Sequence, residues 1–289
     1  MNFKKYFWRN WFSSAFVFFL LIGAIVLVNR PDIFQNILSK IGLTSPVNND
    51  IAHSFSDSEY PESLVPFPSQ KGEWIKKPNY LIYYDQDIMQ ARFALHKLES
   101  ADTRGSANRY GLRFNENETT MLPVASYSDY SGSGFDRGHL VPAADFQCCQ
   151  EQLEETFAMS NVAPFDSLLN RYAWAELEMK TRQWARRYGE LYVITGPVFE
   201  HRMQYFGKYT DISVPTHFYK LLVRYSTNSS IPESTIAFLL PNEPTPHFVM
   251  ERQMVSIDDL EAKTGLDFFK SLPDELEDKL ENARRNGSW

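Results

Sequence analysis

Four consecutive residues, Asp136-Arg137-Gly138-His139, put a carboxylate, a guanidinium and an imidazole into one short stretch, between Ser133-Gly134-Phe135 and Leu140. Asp136 is placed to hold Arg137 by a charge-assisted hydrogen bond. Gly138 is expected to let the backbone turn sharply, or to let a ligand come close. His139 is then the group that can take a proton near neutral pH. Alone, the tetrad also suits a surface turn with a chance histidine, so its meaning rests on the residues downstream of it.

Thirty-one residues later stands Asn170, at the start of the best helical pattern in the chain, Asn170 to Tyr188. Trp174, Leu177 and Trp184 repeat at helical spacing. Asn170 is expected to cap or begin this helix. Asn170, Trp174 and Glu178 are four apart and share one face. Glu178 also has Arg182 at i+4 as a plain ion-pair partner.

Around these segments the pattern is mixed. Tyr80 to Tyr84, Leu191 to Thr195, Thr216 to Tyr225 and Thr235 to Leu240 read as strands. Ala91 to Leu98 is an apolar run whose periodicity does not separate strand from helix. A polar loop with Arg104, Arg109 and Arg113 precedes the tetrad. Gln150 to Met159, Ser256 to Leu260 and the acidic tail Asp274 to Glu281 read as helices. The fold class is α+β, with strands dominant and a central mixed or antiparallel sheet.

Residues 1–30 hold Lys4, Lys5, Arg9 and Arg30 and no acids before Asp32. The rest therefore carries 25 basic against 36 acidic residues, a net charge of −11 where the whole chain has −7. That argues against a general electrostatic grip on nucleic acid, so a nuclease reading rests on a local basic cleft. Cys148 and Cys149 are adjacent, which excludes a disulfide framework and a cysteine zinc site.

From Trp11 to Val28 the chain runs eighteen residues without a charge. That is about the minimum for a membrane-spanning helix. Basic residues precede it, and Trp8 and Trp11 stand where interfacial aromatics belong. The expectation is an uncleaved anchor in residues 1–30, with a removed signal peptide and a mitochondrial presequence as alternatives. Residues 31–78, with Pro31, Pro46, Pro61, Pro66, Pro68 and Pro78, read as a linker. The body is expected over 79–289, on the non-cytoplasmic side of the membrane.

The tetrad resembles the signature of the DNA/RNA non-specific endonucleases, the endonuclease G group, whose catalytic histidine ends that motif. Asn170-x3-Trp174-x2-Leu177-Glu178 is similar to the metal-binding helix of the same group. Thr156 to Pro164, Thr195-Gly196-Pro197, Val214 to Lys220, Phe238 to Asn242 and Thr264 to Phe269 also resemble family blocks, in family order. One position departs: the family usually has Gln where this chain has Phe165, which bears on loop packing and substrate preference.

The resemblance implies a ββα-metal, His-Me finger fold, with the histidine on a β-hairpin and the asparagine on the facing helix. It implies a metal-dependent endonuclease acting on DNA and RNA, leaving 5′-phosphate ends. His139 would be the general base and Asn170 the one direct protein ligand of Mg²⁺, with Mn²⁺ as a substitute. Glu178 would support a water of the metal shell. Arg109, with Arg104 as fallback, would contact phosphate, Arg137 would steady the transition state, and Asp136 and Gly138 would be structural support. Family members are often dimers, so a homodimer is expected. If bacterial, the body would face the periplasm; if eukaryotic, the mitochondrial intermembrane space. Rival readings are a phosphodiesterase of small nucleotides and an inactive, membrane-tethered nucleic-acid-binding module. His217 reads as packing, His53, His96, His201 and His247 carry no assigned role, and Arg182, Arg186 and Arg187 read as a solvated helix face.

Overall fold

Strand residues that are buried on both parities need cover on both faces, and this requirement organises the domain. A computed structural model describes residues 60–115, 122–200, 204–226, 229 and 231–289. Its central sheet runs in the order Met254–Val255, Pro232–Pro241, His217–Tyr225, Glu190–Val198, Gln90–Glu99, Tyr80–Asp85 and Glu73–Lys76. The short strand Arg285–Asn286 adds to Pro232–Pro241 off this path. Every pairing in the sheet is antiparallel among the described residues, so the mixed alternative is set aside.

The ambiguous apolar run is a strand, Gln90–Glu99. Its periodicity is undecidable because both of its faces are buried: Ala94 and Leu98 lie in the main core, while Phe93 and Leu95 are fully covered on the other side. The helix Ala173–Tyr188 lays Trp174, Leu177, Trp184 and Ala185 into the core formed with Ile82, Val193, Phe218, Leu222 and Phe238. Removing a ring such as that of Trp174, which has no exposed surface, costs about 3–5 kcal/mol in comparable cores. On the opposite face Phe268 stands edge-on to Tyr219.

The folded unit begins at Tyr60, before the expected start at Asn79. Residues 73–76 form a sheet strand because Trp74 packs on Tyr83 and Phe93, at ring separations of 4.8 and 5.6 Å. The prolines around it sit at strand ends and turns, where a missing N–H is tolerated. The helix Ile257–Thr264 is capped by Ser256 in a full capping box with Asp259, and Gly265 stands at its left-handed end. Asp274–Glu281 is the expected tail helix. The expected anchor at 11–28 lies outside the described residues, and among those described no helix is long and apolar enough to cross a membrane.

Candidate active site

The tetrad forms one strand of a separate two-stranded hairpin, Phe135–His139 paired antiparallel with Val162–Asp166. The short helix Ser167–Arg171 comes directly after it, and the long helix after that. Hairpin then helix is the ββα order that the resemblance implies.

Successive residues of a strand point to opposite faces, and this overturns the expected Asp136–Arg137 pair. Asp136 faces the short helix. It accepts hydrogen bonds from Asn170 Nδ2 at 3.1 Å, Ser167 Oγ at 2.9 Å, and Arg171 Nε and Nη2 at 2.9 and 2.7 Å. Burial alone would raise its pKa, but these bonds hold the carboxyl below the usual carboxylate range. Arg137 faces the other way. Its guanidinium lies 3.6 Å from the centre of the Tyr127 ring, and its Nη2 donates to the Tyr127 carbonyl at 2.8 Å.

Gly138 is extended rather than turned. A Cβ built there would lie 2.1 Å from Cδ2 of Phe165. The glycine therefore makes room for the Phe165 ring, not for a turn. That ring stacks on Phe218 at 3.5 Å and 4°. The residue that departs from the family pattern is thus buried beneath the tetrad.

Asn170 is not a helix cap. Asp166 caps the short helix, accepting from the backbone of Leu168 and Leu169, and Asn170 stands in its last turn. The expected single helix is broken at Tyr172, whose φ of −121° and ψ of −82° are not helical. With its Nδ2 committed to Asp136, Asn170 keeps a carbonyl oxygen that accepts no hydrogen bond from the described residues.

His139 closes the hairpin strand. Its ring is packed between Phe114 and Phe157, with centroids at 4.8 and 4.9 Å. Nε2 is buried without a partner among the described residues. Burial, then the nearby Arg109 charge, push its pKa down to about 3, so the imidazole is neutral at neutral pH. Arg109 is exposed, with its guanidinium 5.7 Å from the Phe157 ring. Arg104 lies in a turn with its N–H on Ala101 O. Of the two arginines, Arg109 is the one whose charge bears on the histidine.

Glu178 is half-buried and lies beside a charged group made of Lys220, Asp145, Arg182 and His96. Arg182 donates to Asp145 Oδ1 at 2.8 Å rather than pairing with Glu178. His96 Nε2 is 3.0 Å from Asp145 Oδ2, and Lys220 Nζ donates to Thr195 Oγ1 at 2.7 Å. Burial lifts Glu178 to about 7, with Lys220 opposing that rise. Burial likewise lowers Lys220 to about 8, with Glu178 opposing. Of the expected solvated arginine face, Arg182 is half-buried on Asp145, while Arg186 and Arg187 are exposed as expected, Arg186 also donating to the side chain and carbonyl of Thr103, both at 2.8 Å.

The structure thus joins Asp136 to Asn170, and Arg109 to His139 through Phe157. Asp136 links the two groups, standing three residues before His139 on one strand. Arg137 and Glu178 stand in other settings, on Tyr127 and beside Lys220. Three residues carry the geometry without having been singled out. Asn161 accepts from Val141 N at 2.9 Å and donates to the Val141 and Thr156 carbonyls, which holds the chain just after His139. Asn242 accepts from Asp166 N at 2.7 Å and donates to the Pro164 carbonyl, which anchors the other strand. Phe114 walls the histidine. A buried asparagine inside an apolar block was the available signal for Asn161; Phe114 offered none.

Comparison with known proteins agrees with this arrangement. Residues 63–275 match the model of the DNA/RNA non-specific endonuclease family. The chain is 34% identical over 207 residues to human "Endonuclease G, mitochondrial", covering 68% of this chain and 69% of that protein. It is 32% identical over 229 residues to "Nuclease C1" of Cunninghamella echinulata var. echinulata, covering 73% and 89%. It is 30% identical over 270 residues to the "Mitochondrial nuclease" of Saccharomyces cerevisiae, covering 86% and 81%. A crystal structure of an EndoG/EndoGI complex shares the fold, with a TM-score of 0.66 at 22% identity over 80% of this chain and 96% of that one. The chain belongs to the DNA/RNA non-specific endonuclease family and is a nuclease of that family.

Proposed function

We propose that the protein is a membrane-anchored, Mg²⁺-dependent endonuclease that cleaves DNA and RNA with little sequence preference. His139 acts as general base on water and Asn170 as metal ligand. One observation carries this reading: the hairpin and its helix leave two polar atoms unpaired. Asn170 Oδ1 is open because Asp136 holds Nδ2. His139 Nε2 is buried without a partner among the described residues.

The residues suit a hard cation. Mg²⁺ takes oxygen ligands and keeps most of its waters, so one well-oriented amide oxygen is enough to hold it. Glu178 stands behind as a further carboxylate. When bound there, Mg²⁺ supplies positive charge against the phosphate. His139 stays neutral and accepts the proton of the attacking water, a contribution of about 10²–10⁴-fold. Arg109 presents its exposed guanidinium to the phosphate. Arg137, held against Tyr127, adds charge from the side.

The charge-free run 11–28 supports the membrane anchor. The mitochondrial names of several relatives support a mitochondrial membrane, with the body in the intermembrane space. The homodimer is an implication of the family resemblance and is read by sedimentation of the purified protein.

Plasmid cleavage by residues 60–289 tests the reading, with Mg²⁺, with EDTA, and with His139→Ala and Asn170→Ala. Nicking and linearisation should vanish in EDTA and in both variants. Full activity in His139→Ala, or no cleavage by folded wild-type protein, overturns it. Fractionation of the full chain with membranes, lost when residues 1–30 are removed, tests the anchor.

A further inference from the structure

A second group of oxygen donors lies away from the hairpin. Asp258 and Glu261 stand on the helix Ile257–Thr264, and Glu281 ends the helix Asp274–Glu281. One carboxylate oxygen from each lies within 4.8 Å of the others. Three carboxylates this close repel one another unless something positive stands between them.

Acidic clusters are common on surfaces, but this one has a buried member. Glu281 is only 5% exposed, and its Oε1 is buried with no hydrogen-bond partner among the described residues. An unpaired buried carboxylate is costly unless it is neutralised or bound to a cation. No lysine or arginine among the described residues makes an ion pair with Asp258, Glu261 or Glu281. The nearby cations are committed elsewhere: Lys263 to Glu200 and Lys270 to Asp267. Glu281 also sits at a helix C-terminus, where the helix dipole disfavours negative charge.

We propose that Asp258, Glu261 and Glu281 form a Ca²⁺ site that fastens the C-terminal helix to the helix Ile257–Thr264. The donors are all hard oxygens. Ca²⁺ binds oxygen at about 2.3–2.6 Å and so spans ligand atoms up to about 5 Å apart, whereas Mg²⁺, at about 2.0–2.1 Å, needs a tighter cage. All three donors lie within 4.8 Å of one another, inside the span that Ca²⁺ bridges. Asp258 is exposed and opens the site to solvent. Glu261 gives one oxygen to the N–H of Phe268 at 2.6 Å, which orients its carboxyl. Glu281 lies past residue 275, beyond the span of the family match.

The test uses the full-length chain in detergent, stripped of metal and unfolded thermally with CaCl₂ or MgCl₂. Wild type and Asn170→Ala should both gain about 5 °C in Tm at millimolar CaCl₂, with a smaller gain in MgCl₂. Glu281→Gln and Asp258→Asn should lose the Ca²⁺-dependent gain. Exposed Asp258→Asn folds even if Glu281→Gln does not. No Ca²⁺-dependent gain in the wild type overturns the site. So does a gain that persists in Asp258→Asn/Glu281→Gln, or one that disappears in Asn170→Ala, which would assign the ion to the hairpin.

Discussion

Asn170 donates its Nδ2 to Oδ2 of Asp136 over 3.1 Å, and that one bond decides which end of the amide faces the cleft. Partners of metal ligands that act in this way typically change affinity by about 10–100-fold when removed. Asp136→Ala should therefore weaken Mg²⁺ binding by about that factor. Activity should be recovered in part at high Mg²⁺, whereas the stability lost with the Ser167 and Arg171 bonds should not be. Titration of activity against free Mg²⁺ measures it; an unchanged half-saturation point would refute the orienting role.

Gly138 and Phe165 are packed so closely that a Cβ at 138 meets the ring at 2.1 Å. Overpacking of this kind costs about 1–3 kcal/mol. Gly138→Ala should lower Tm by several degrees, and Phe165→Leu should return part of the loss in the double variant. Thermal unfolding of the four proteins reads the coupling; additive losses would show that Phe165 is not the obstacle.

His139 is held neutral by burial and by Arg109, with a pKa of about 3 against 6.5 in the unfolded chain. The unfolded chain therefore binds a proton that the folded chain refuses. Stability is fully present above about pH 6.5 and is lost as pH falls towards 3, at about 1.4 kcal/mol per pH unit. Between pH 7 and pH 5 the wild type should lose about 2 kcal/mol more than His139→Leu, by denaturant unfolding at each pH. Parallel losses in the two proteins would mean that the imidazole is not buried in this way.

Glu178 and Lys220 face each other in a layer where each is displaced by burial and steadied by the other. Lys220→Met should destabilise the domain, because it removes the charge that opposes the burial of Glu178. Glu178→Gln/Lys220→Met should be less destabilised than the sum of the single variants, by about 1–3 kcal/mol of coupling. A double-mutant cycle in urea provides the number, and a coupling near zero would separate the two residues.

Local chemistry made much of this legible along the chain. The strands at 80–84, 191–195, 216–225 and 235–240 show their β-rich composition. The helix Ile257–Thr264 shows its Ser256 cap and its Gly265 stop. His139 and Asn170 stand out because the tetrad and the Asn170-x3-Trp174-x2-Leu177-Glu178 pattern resemble blocks of the DNA/RNA non-specific endonuclease family. Such signals lie within a few residues of one another, where propensity, capping and periodicity act.

Direction and depth were hidden. Asp136 and Arg137 are adjacent and oppositely charged, yet a strand sends them to opposite faces; only the hairpin pairing shows that Asp136 serves Asn170 and Arg171. Gly138 looks like a turn until Phe165 is brought across the hairpin against it. His96 shows no partner in sequence, because Asp145 reaches it across 49 residues. Gln90–Glu99 conceals its strand character because both faces are covered. Residue order therefore sets which chemical groups the protein owns and which short elements carry them. Which of those groups meet is settled by the folded chain, because burial, register and long-range pairing depend on segments far apart in number.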